Sequence, residues 1–286
     1  MKTIGLIANL EKARSAEAVR HVAALASGMG FIVLAEERTA SLLPDVPSCP
    51  AGEFKQREVE AVVVLGGDGT LLDAAHKVAE QRLPLMGLNI GSLGYLTSVE
   101  EHQFEEALRQ LRENRYAVSR RSALAAAVRH QDGTRSLLSD ALNDVVVYRG
   151  ESGHAAELDL LLDRQPVSRF LCDGIIVATP TGSTAYSLSA GGPIVLPGTP
   201  ALVISLICPH ALTSRPLIVS ETSHIAVKVV SDRVPVSVSS DGRDQQPVRC
   251  GDAVEIVKSS HSMPLIELHG YNPCDVLRRK LGWGGR

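Results

Sequence analysis

No two cysteines in this sequence stand at C-x-x-C spacing. The five, Cys49, Cys172, Cys208, Cys250 and Cys274, are scattered along 286 residues. That argues against a zinc site and a disulfide framework, and for free thiols in a reducing cytoplasm. The nine histidines form no H-E-x-x-H, so a His/Cys metal cage is not expected. No apolar run reaches the ~20 residues of a membrane span. The opening MKTIGLIANLEK lacks the apolar core of a secretory signal and reads as a first strand. Charge is short of either sign: a net −3 offers no broad surface for nucleic acid or membrane. The common phosphate-handling and nucleophile motifs are missing too. There is no G-x-x-x-x-G-K-[ST], no G-x-G-x-x-G after the first strand, no protein-kinase set and no G-x-S-x-G.

What is present suits a soluble chain with a sizeable core, 44% apolar and 21% charged. The length fits two ordinary domains or one large one. Up to about residue 115, strand-like and helix-like segments alternate. Thr3–Ala8, Phe31–Ala35, Ala61–Leu65 and Pro84–Leu88 read as buried parallel strands. Helices are expected from a Ser15 cap to about Ala26, after Gly69, and over Glu100–Asn114 with Phe104, Leu108 and Leu111 inward. The Pro- and Gly-containing stretch 41–57 reads as loop. This β-α-β-α order predicts a parallel sheet with helices on both faces.

Near Tyr116 the period changes. Short strands follow one another, among them Ser122–Arg129, Ala141–Tyr148, Glu157–Leu162, Phe170–Ala178, Ala201–Cys208, His224–Val230, Val234–Ser239 and Ala253–Val257. They predict antiparallel sheets in a sandwich. Asn272 as N-cap and Pro273 at N1 predict a last helix over Pro273–Leu281.

Two constellations carry chemistry. The first is VVVLGGDGTLLDAA, Val62–Ala75: an apolar strand, a glycine turn and a helix start. Gly66, Gly67, Gly69 and Thr70 suit a phosphate chain approaching the backbone at a helix N-terminus. Asp68 stands in the middle of that anion site. Its carboxylate has a use there if it faces an attacking hydroxyl or a divalent cation on the phosphates. Read without function, the same residues are a strand-to-helix turn with a cap. The second is CDGIIVATPTGSTAYSLSAGGP, Cys172–Pro193. Its small hydroxyl residues and glycines suit a groove for a flat polar ligand such as a nucleoside, or else a plain ST-rich turn.

GGDGT, NIGSLGYLT, LND at Leu142–Asp144, the long TPTGSTAYSLSAGGPI stretch, PHALTSRPLIV, SDGR at Ser240–Arg243 and KLGW occur in that order. Together they resemble the bacterial NAD kinase family from the first strand to the C-terminus. GGDGT alone is shared with phosphofructokinases and lipid kinases; the second loop is not.

The resemblance implies a Rossmann-like, phosphofructokinase-like α/β domain over 1–117, a β-sandwich NAD-binding domain over 118–268, and a segment 269–286 returning to the first domain. It implies phosphoryl transfer from ATP, or from polyphosphate, to the 2′-hydroxyl of NAD's adenosine ribose. Asp68 matches the family's proposed general base, and Gly66, Gly67, Gly69 and Thr70 its phosphate-donor loop. Asp68, Gly69, Tyr95, Asn143, Asp144, Asp173, Thr181, Thr184, Ala185, Tyr186 and Ser189 match its NAD-binding positions. Asp144 is a departure, since the family pair is Asn-Glu; aspartate shortens the reach by one methylene. Asp241 falls in the SDG motif. Arg215 either binds donor phosphate or stitches the surface, Tyr95 either meets the ligand or fills the core, and His210 reads as a buried structural histidine. Mg²⁺ would arrive with the donor phosphates, with no fixed protein cage. A cytoplasmic homo-oligomer, dimer or tetramer, is expected, with no nucleic-acid partner and no membrane. The competing readings are a lipid or sugar kinase built on GGDGT and an NAD-binding sensor without turnover.

Overall fold

The computed structural model describes residues 2–11, 14–91, 93–97 and 99–283. The chain divides into two compact units: Met1–Arg120 with Met263–Arg286, and Arg121–Ser262.

The first unit is α/β. Its elements are β1 (Thr3–Ala8), α1 (Ser15–Gly28), β2 (Ile32–Glu36), α2 (Glu37–Ala40), β3 (Ser48–Cys49), β4 (Ala61–Gly66), α3 (Asp68–Val78), β5 (Leu85–Asn89) and α4 (Phe104–Arg112). The strands are parallel and ordered β5-β4-β1-β2-β3. Strand period explains how both faces are covered. Ile4, Leu6, Val63 and Leu65 face one way, into a cluster with Val19 and Val22 of α1 and Leu108 and Leu111 of α4. Ile7, Val62 and Val64 face the other, against Leu71, Ala75 and Val78 of α3. With strands buried on both faces, an apolar run without alternation is what such a sheet requires. The order reverses between β1 and β4, because β2 and β3 lie on one side of β1 and β4 and β5 on the other. Open parallel sheets bind ligands at the C-terminal ends of the strands at such a switch point.

Three expectations need correction here. The stretch 41–57 is not all loop: it holds β3 and a 3₁₀ helix, Ala51–Arg57, whose Phe54 is fully buried beside Ile7. The large aromatic, not the Pro/Gly content, decides its place. Ser15 does not cap α1. It is the first helical residue, and its hydroxyl donates to the Asn9 carbonyl. After the glycine turn, the apolar spacing of Leu71, Leu72, Ala75, Val78 and Ala79 predicts one inward face, but that face ends at Val78 and Ala79 is exposed. Elsewhere Phe104, Leu108 and Leu111 are fully buried as expected.

The second unit is antiparallel. Its strands are β6 (Tyr116–Arg129) from Arg121 on, β7 (Arg135–Leu137), β8 (Asp144–Arg149), β9 (Ala156–Leu162), β10 (Gln165–Cys172), β11 (Gly174–Ala178), β12 (Ala201–Ile207), β13 (Leu217–Ser220), β14 (Ile225–Val229), β15 (Val236–Ser240), β16 (Arg243–Val248) and β17 (Ala253–Leu268) as far as Ser262. One short helix, α5 (Tyr186–Ser189), interrupts them. β13-β12-β11-β8-β15-β16 form one sheet, and β10-β9-β14-β17 run antiparallel in another. Between them lies one cluster, with Leu158, Leu160, Ile225 and Val227 from one sheet and Val145, Val147, Ile175 and Val177 from the other. That is a sandwich. The opposite face of the first of these sheets packs Val146, Ile176 and Val203 against Val195.

Two strand expectations change. Phe170–Ala178 is not one strand. It breaks at Asp173 into β10 and β11, which lie in different sheets. Ala253–Val257 is only the start of β17, which runs on to Leu268; its polar middle, Lys258–Ser262, hides the continuation from a hydrophobic pattern. The last helix, α6 (Pro273–Leu281), forms as expected, with the Asn272 side chain accepting the Cys274 N–H. No helix among the described residues is long and apolar enough to cross a membrane.

Candidate active site

In the first unit, β4 delivers the chain to Gly67, which has extended backbone, and α3 begins at Asp68. The first N–H groups of a helix have no intrahelical acceptor and carry its positive dipole end. A cavity of about 220 Å³ opens here, beside the residues that follow β1 and β4. Its walls include Asn9, Glu11, Arg38, Gly69, Thr70, Asp73 and Lys77. Lys77 is paired with the buried Glu36 at 2.9 Å. Burial alone would raise the Glu36 pKa, but hydrogen bonds from Lys77 and Thr39 hold it below its ordinary value. Arg38 and Lys77 escaped sequence reasoning because they lie on α2 and α3, outside the glycine motif.

The Asp68 carboxylate does not point into empty space. Oδ2 accepts the Tyr95 N–H at 2.8 Å. Oδ1 accepts the N–H of Leu96 at 3.0 Å, that of Thr97 at 3.0 Å and the Thr97 hydroxyl at 3.1 Å. Thr97 is held in turn by Asn89, whose Nδ2 donates to the Thr97 hydroxyl at 3.0 Å. The carboxylate packs so closely on the loop that a Cβ on Gly94 would lie 2.0 Å from Oδ1. Asp68 therefore fastens the Gly94–Thr97 loop to the start of α3. Oδ1 is filled by three donors; Oδ2, with one, keeps a lone-pair direction for another. The Tyr95 ring is half-buried, with the Lys280 ammonium 5.7 Å from its centroid. Burial, and then the Asp68 charge, raise its phenol pKa.

In the second unit, Asp241 and Gly242 form the two-residue turn between β15 and β16, both at positive φ (49° and 71°). Asp-Gly is the pair such a turn favours. The turn aims the Asp241 carboxylate at the chain entering β8. It accepts the N–H of Leu142 at 2.8 Å, of Asn143 at 2.8 Å and of Asp144 at 3.1 Å. Asp241 thus holds the Leu-Asn-Asp segment in place. Asp144 is 6% exposed. Burial, and then the Asp241 charge, push its pKa up to about 7.

The hydroxyl-rich loop is anchored to the same segment. Thr179 donates its N–H to the Asn143 carbonyl at 2.9 Å and its hydroxyl to the Leu142 carbonyl at 2.5 Å. Gly182 lies so near that a Cβ there would sit 2.0 Å from the Asn143 carbonyl oxygen. Ser183 bonds Pro180 and Val195, and Ser187 bonds Ser205. These hydroxyls are spent on the fold. Thr184 donates to the Thr181 carbonyl at 3.1 Å. Thr181 is buried, Ala185 half-buried, Ser189 exposed and Tyr186 48% exposed.

Asp173 is engaged by Arg149, whose Nε lies 2.6 Å from Oδ1. Arg215 is exposed and donates to the carbonyls of Leu212 and Ser214, at 3.0 and 2.7 Å, within its own loop. His210 is exposed, not the buried structural histidine the sequence suggested. Among the described residues no group of three or more His, Cys, Asp or Glu is placed to hold a metal ion.

The order of the strands and the position of the glycine turn define a nucleotide-handling α/β unit on the same chain as a β-sandwich. Comparison with known proteins makes this specific. The ATP-NAD kinase N-terminal domain matches residues 4–116, and the ATP-NAD kinase C-terminal domain matches residues 142–268. NAD kinase of Syntrophotalea carbinolica is 37% identical over 287 aligned positions, covering 100% of both chains. NAD kinase of Solibacter usitatus is 39% identical, covering 100% of this chain and 99% of its own. Yeast NADH kinase complexed with NADH superposes with a TM-score of 0.88 at 27% identity, over 100% of this chain and 89% of its own. An NAD kinase from Archaeoglobus fulgidus in complex with ATP gives 0.76 at 25%, over 99% and 98%. The chain belongs to the ATP-NAD kinase family.

Proposed function

We propose that this protein is an NAD kinase, moving the terminal phosphoryl group of ATP to the 2′-hydroxyl of the adenosine ribose of NAD. The observation that carries the reading is the match to both halves of the ATP-NAD kinase family along the chain. Solved relatives bearing NADH and ATP supply the two substrate classes. A lipid or sugar kinase sharing only the glycine turn would not match in the second unit, so that alternative is disfavoured.

In the reaction a bond forms between the ribose O2′ and the terminal phosphorus. The bond from that phosphorus to the bridging oxygen breaks, ADP leaves with its electron pair, and the hydroxyl proton is released. The donor phosphates lie over Gly66, Gly67, Gly69 and Thr70, where the N-terminal end of α3 and its dipole favour anions. Asp68 receives the proton through Oδ2 while Oδ1 holds the loop. Asp68, Gly69, Tyr95, Asn143, Asp144, Asp173, Thr181, Thr184, Ala185, Tyr186 and Ser189 are the proposed NAD contacts. Asp241 positions Asn143 and Asp144. The Arg215 guanidinium, tied to its own loop, favours the surface-stitching reading.

Mg²⁺ fits the donor set at the cavity beside α3, where Glu11, Thr70 and Asp73 offer oxygen atoms of the kind that share this ion with phosphates. Bound there with the donor, it would neutralise phosphate charge. The protein acts in the cytoplasm; its assembly as a homo-oligomer is supported by exposed Leu217 and Ile218 on β13, an edge strand.

Purified protein incubated with NAD, Mg²⁺ and either ATP or polyphosphate is expected to make NADP, and to stop when the metal is chelated. Absence of NADP with every donor would refute the assignment.

A further inference from the structure

Asp144 and Asp241 are neighbours of the same chemistry in unlike surroundings. Asp241 accepts three backbone N–H groups, from Leu142, Asn143 and Asp144. Those bonds occupy the Asp241 carboxylate. Asp144 is 6% exposed, and its own carboxyl makes no hydrogen bond and no ion pair among the described residues. An uncompensated buried charge is costly, and a group so placed takes up a proton instead. The two strands that flank it bring no charge. β11 pairs with β8 at Ala178↔Asp144, and β15 pairs at Ser240↔Val145. Neither strand contains an ionisable residue, and neither does the loop Thr179–Ala185. The hairpin turn brings Asp241, an anion, with Arg243 and Asp244 following on β16. Two carboxyl groups that share a site do not readily ionise together.

We propose that Asp144 binds the acceptor nucleotide as a neutral carboxylic acid, donating a hydrogen bond to a ribose oxygen or ring nitrogen of its nucleoside part. This rests on the NAD kinase reading and adds the protonation state of the contact. A carboxylate at this place accepts hydrogen bonds only; a carboxylic acid donates one as well. Its titration at about 7, raised first by burial and then by Asp241, puts the change of state inside the working range of an enzyme. NAD affinity is then linked to a proton. The bound form keeps it, so binding above neutral pH takes one up.

Calorimetric titration of NAD into the full-length protein, without donor, tests this between pH 6 and pH 8.5. The dissociation constant is expected to rise about fivefold from pH 7 to pH 8. In buffers of different ionisation enthalpy, binding at pH 8 is expected to take up about one proton per NAD. Asp144→Asn keeps a donor and an acceptor but cannot titrate. It is expected to bind at pH 6 within about threefold of the parent, to lose the rise, and to take up no proton. An affinity in the parent protein that is flat or tightens as pH rises overturns the proposal. So does a loss of tenfold or more at pH 6 in Asp144→Asn, provided the variant keeps its thermal transition. The parent profile alone decides the matter if the variant does not fold. Failure of the parent to bind NAD at any pH, with no NADP formed in the activity assay, overturns the kinase reading and this proposal together. Binding with NADP formation but without the proton linkage overturns the proposal alone.

Discussion

Asp68→Asn separates the observed task of that carboxylate, holding the loop, from the proposed one, taking the proton. Asparagine keeps one oxygen and replaces the other with an NH₂ group. The better orientation leaves the oxygen at the Oδ1 position, serving Leu96, Thr97 and the Thr97 hydroxyl. The NH₂ then meets the Tyr95 N–H, donor against donor, across what is a 2.8 Å hydrogen bond in the native protein. A hydrogen bond to a charged group contributes about 1.5–3 kcal/mol, a neutral one about 1. Losing one such bond and weakening three gives a local cost of about 3 kcal/mol. In hydrogen exchange, that corresponds to roughly 100-fold faster exchange at the Tyr95, Leu96 and Thr97 amides. Turnover should fall by about 10²–10⁴-fold through loss of the base. Thr97→Val is the control. It removes the two bonds of the hydroxyl, to Asp68 Oδ1 and from Asn89 Nδ2, costs about 2–3 kcal/mol and should keep turnover within a few fold. Native-like amide protection in Asp68→Asn would show that the carboxylate does not hold the loop. An equal loss of turnover in Thr97→Val would show that positioning, not proton transfer, accounts for the effect of Asp68.

Gly182→Ala places a methyl group 2.0 Å from the Asn143 carbonyl oxygen, a backbone atom that cannot turn aside. Strain of about 1–3 kcal/mol and a clear rise in KM for NAD are expected, with little change in KM for ATP; an unchanged KM for NAD would place Asn143 and this loop outside the acceptor site. Asp144 makes stability depend on pH. Its folded pKa, about 7, lies above its ordinary 3.8. The stabilisation it lends is therefore complete below the ordinary value and is lost as pH rises through about 7. Asp144→Asn should gain on the parent protein by about 2.5 kcal/mol between pH 5 and pH 8 in denaturant titrations, and a constant gap would refute the burial argument.

Family and fold class were legible in local sequence, as were the two segments on which the candidate site is proposed. β1 and β4 read as buried strands because continuous apolar runs are what a sheet covered on both faces demands. The period-3.6 spacing of Phe104, Leu108 and Leu111 placed that helix. The glycine turn marked where phosphate can approach, and the hydroxyl-rich loop marked the second constellation. Other features were hidden because they depend on which distant segments meet. Nothing near Asp68 announces that its oxygens close on amides 27 to 29 residues away. Nothing near Asp241 announces a reach across 97 to 99 residues to Leu142–Asp144. The break at Asp173 was invisible because adjacent apolar runs look alike whichever sheet they join. The sequence by itself determined which chemistry this protein carries, since residue types and local backbone needs are written one after another along the chain. Only the tertiary structure decided what each carboxylate does with its charge. A pKa and a set of hydrogen-bond partners are properties of the surroundings, and long-range packing assembles those.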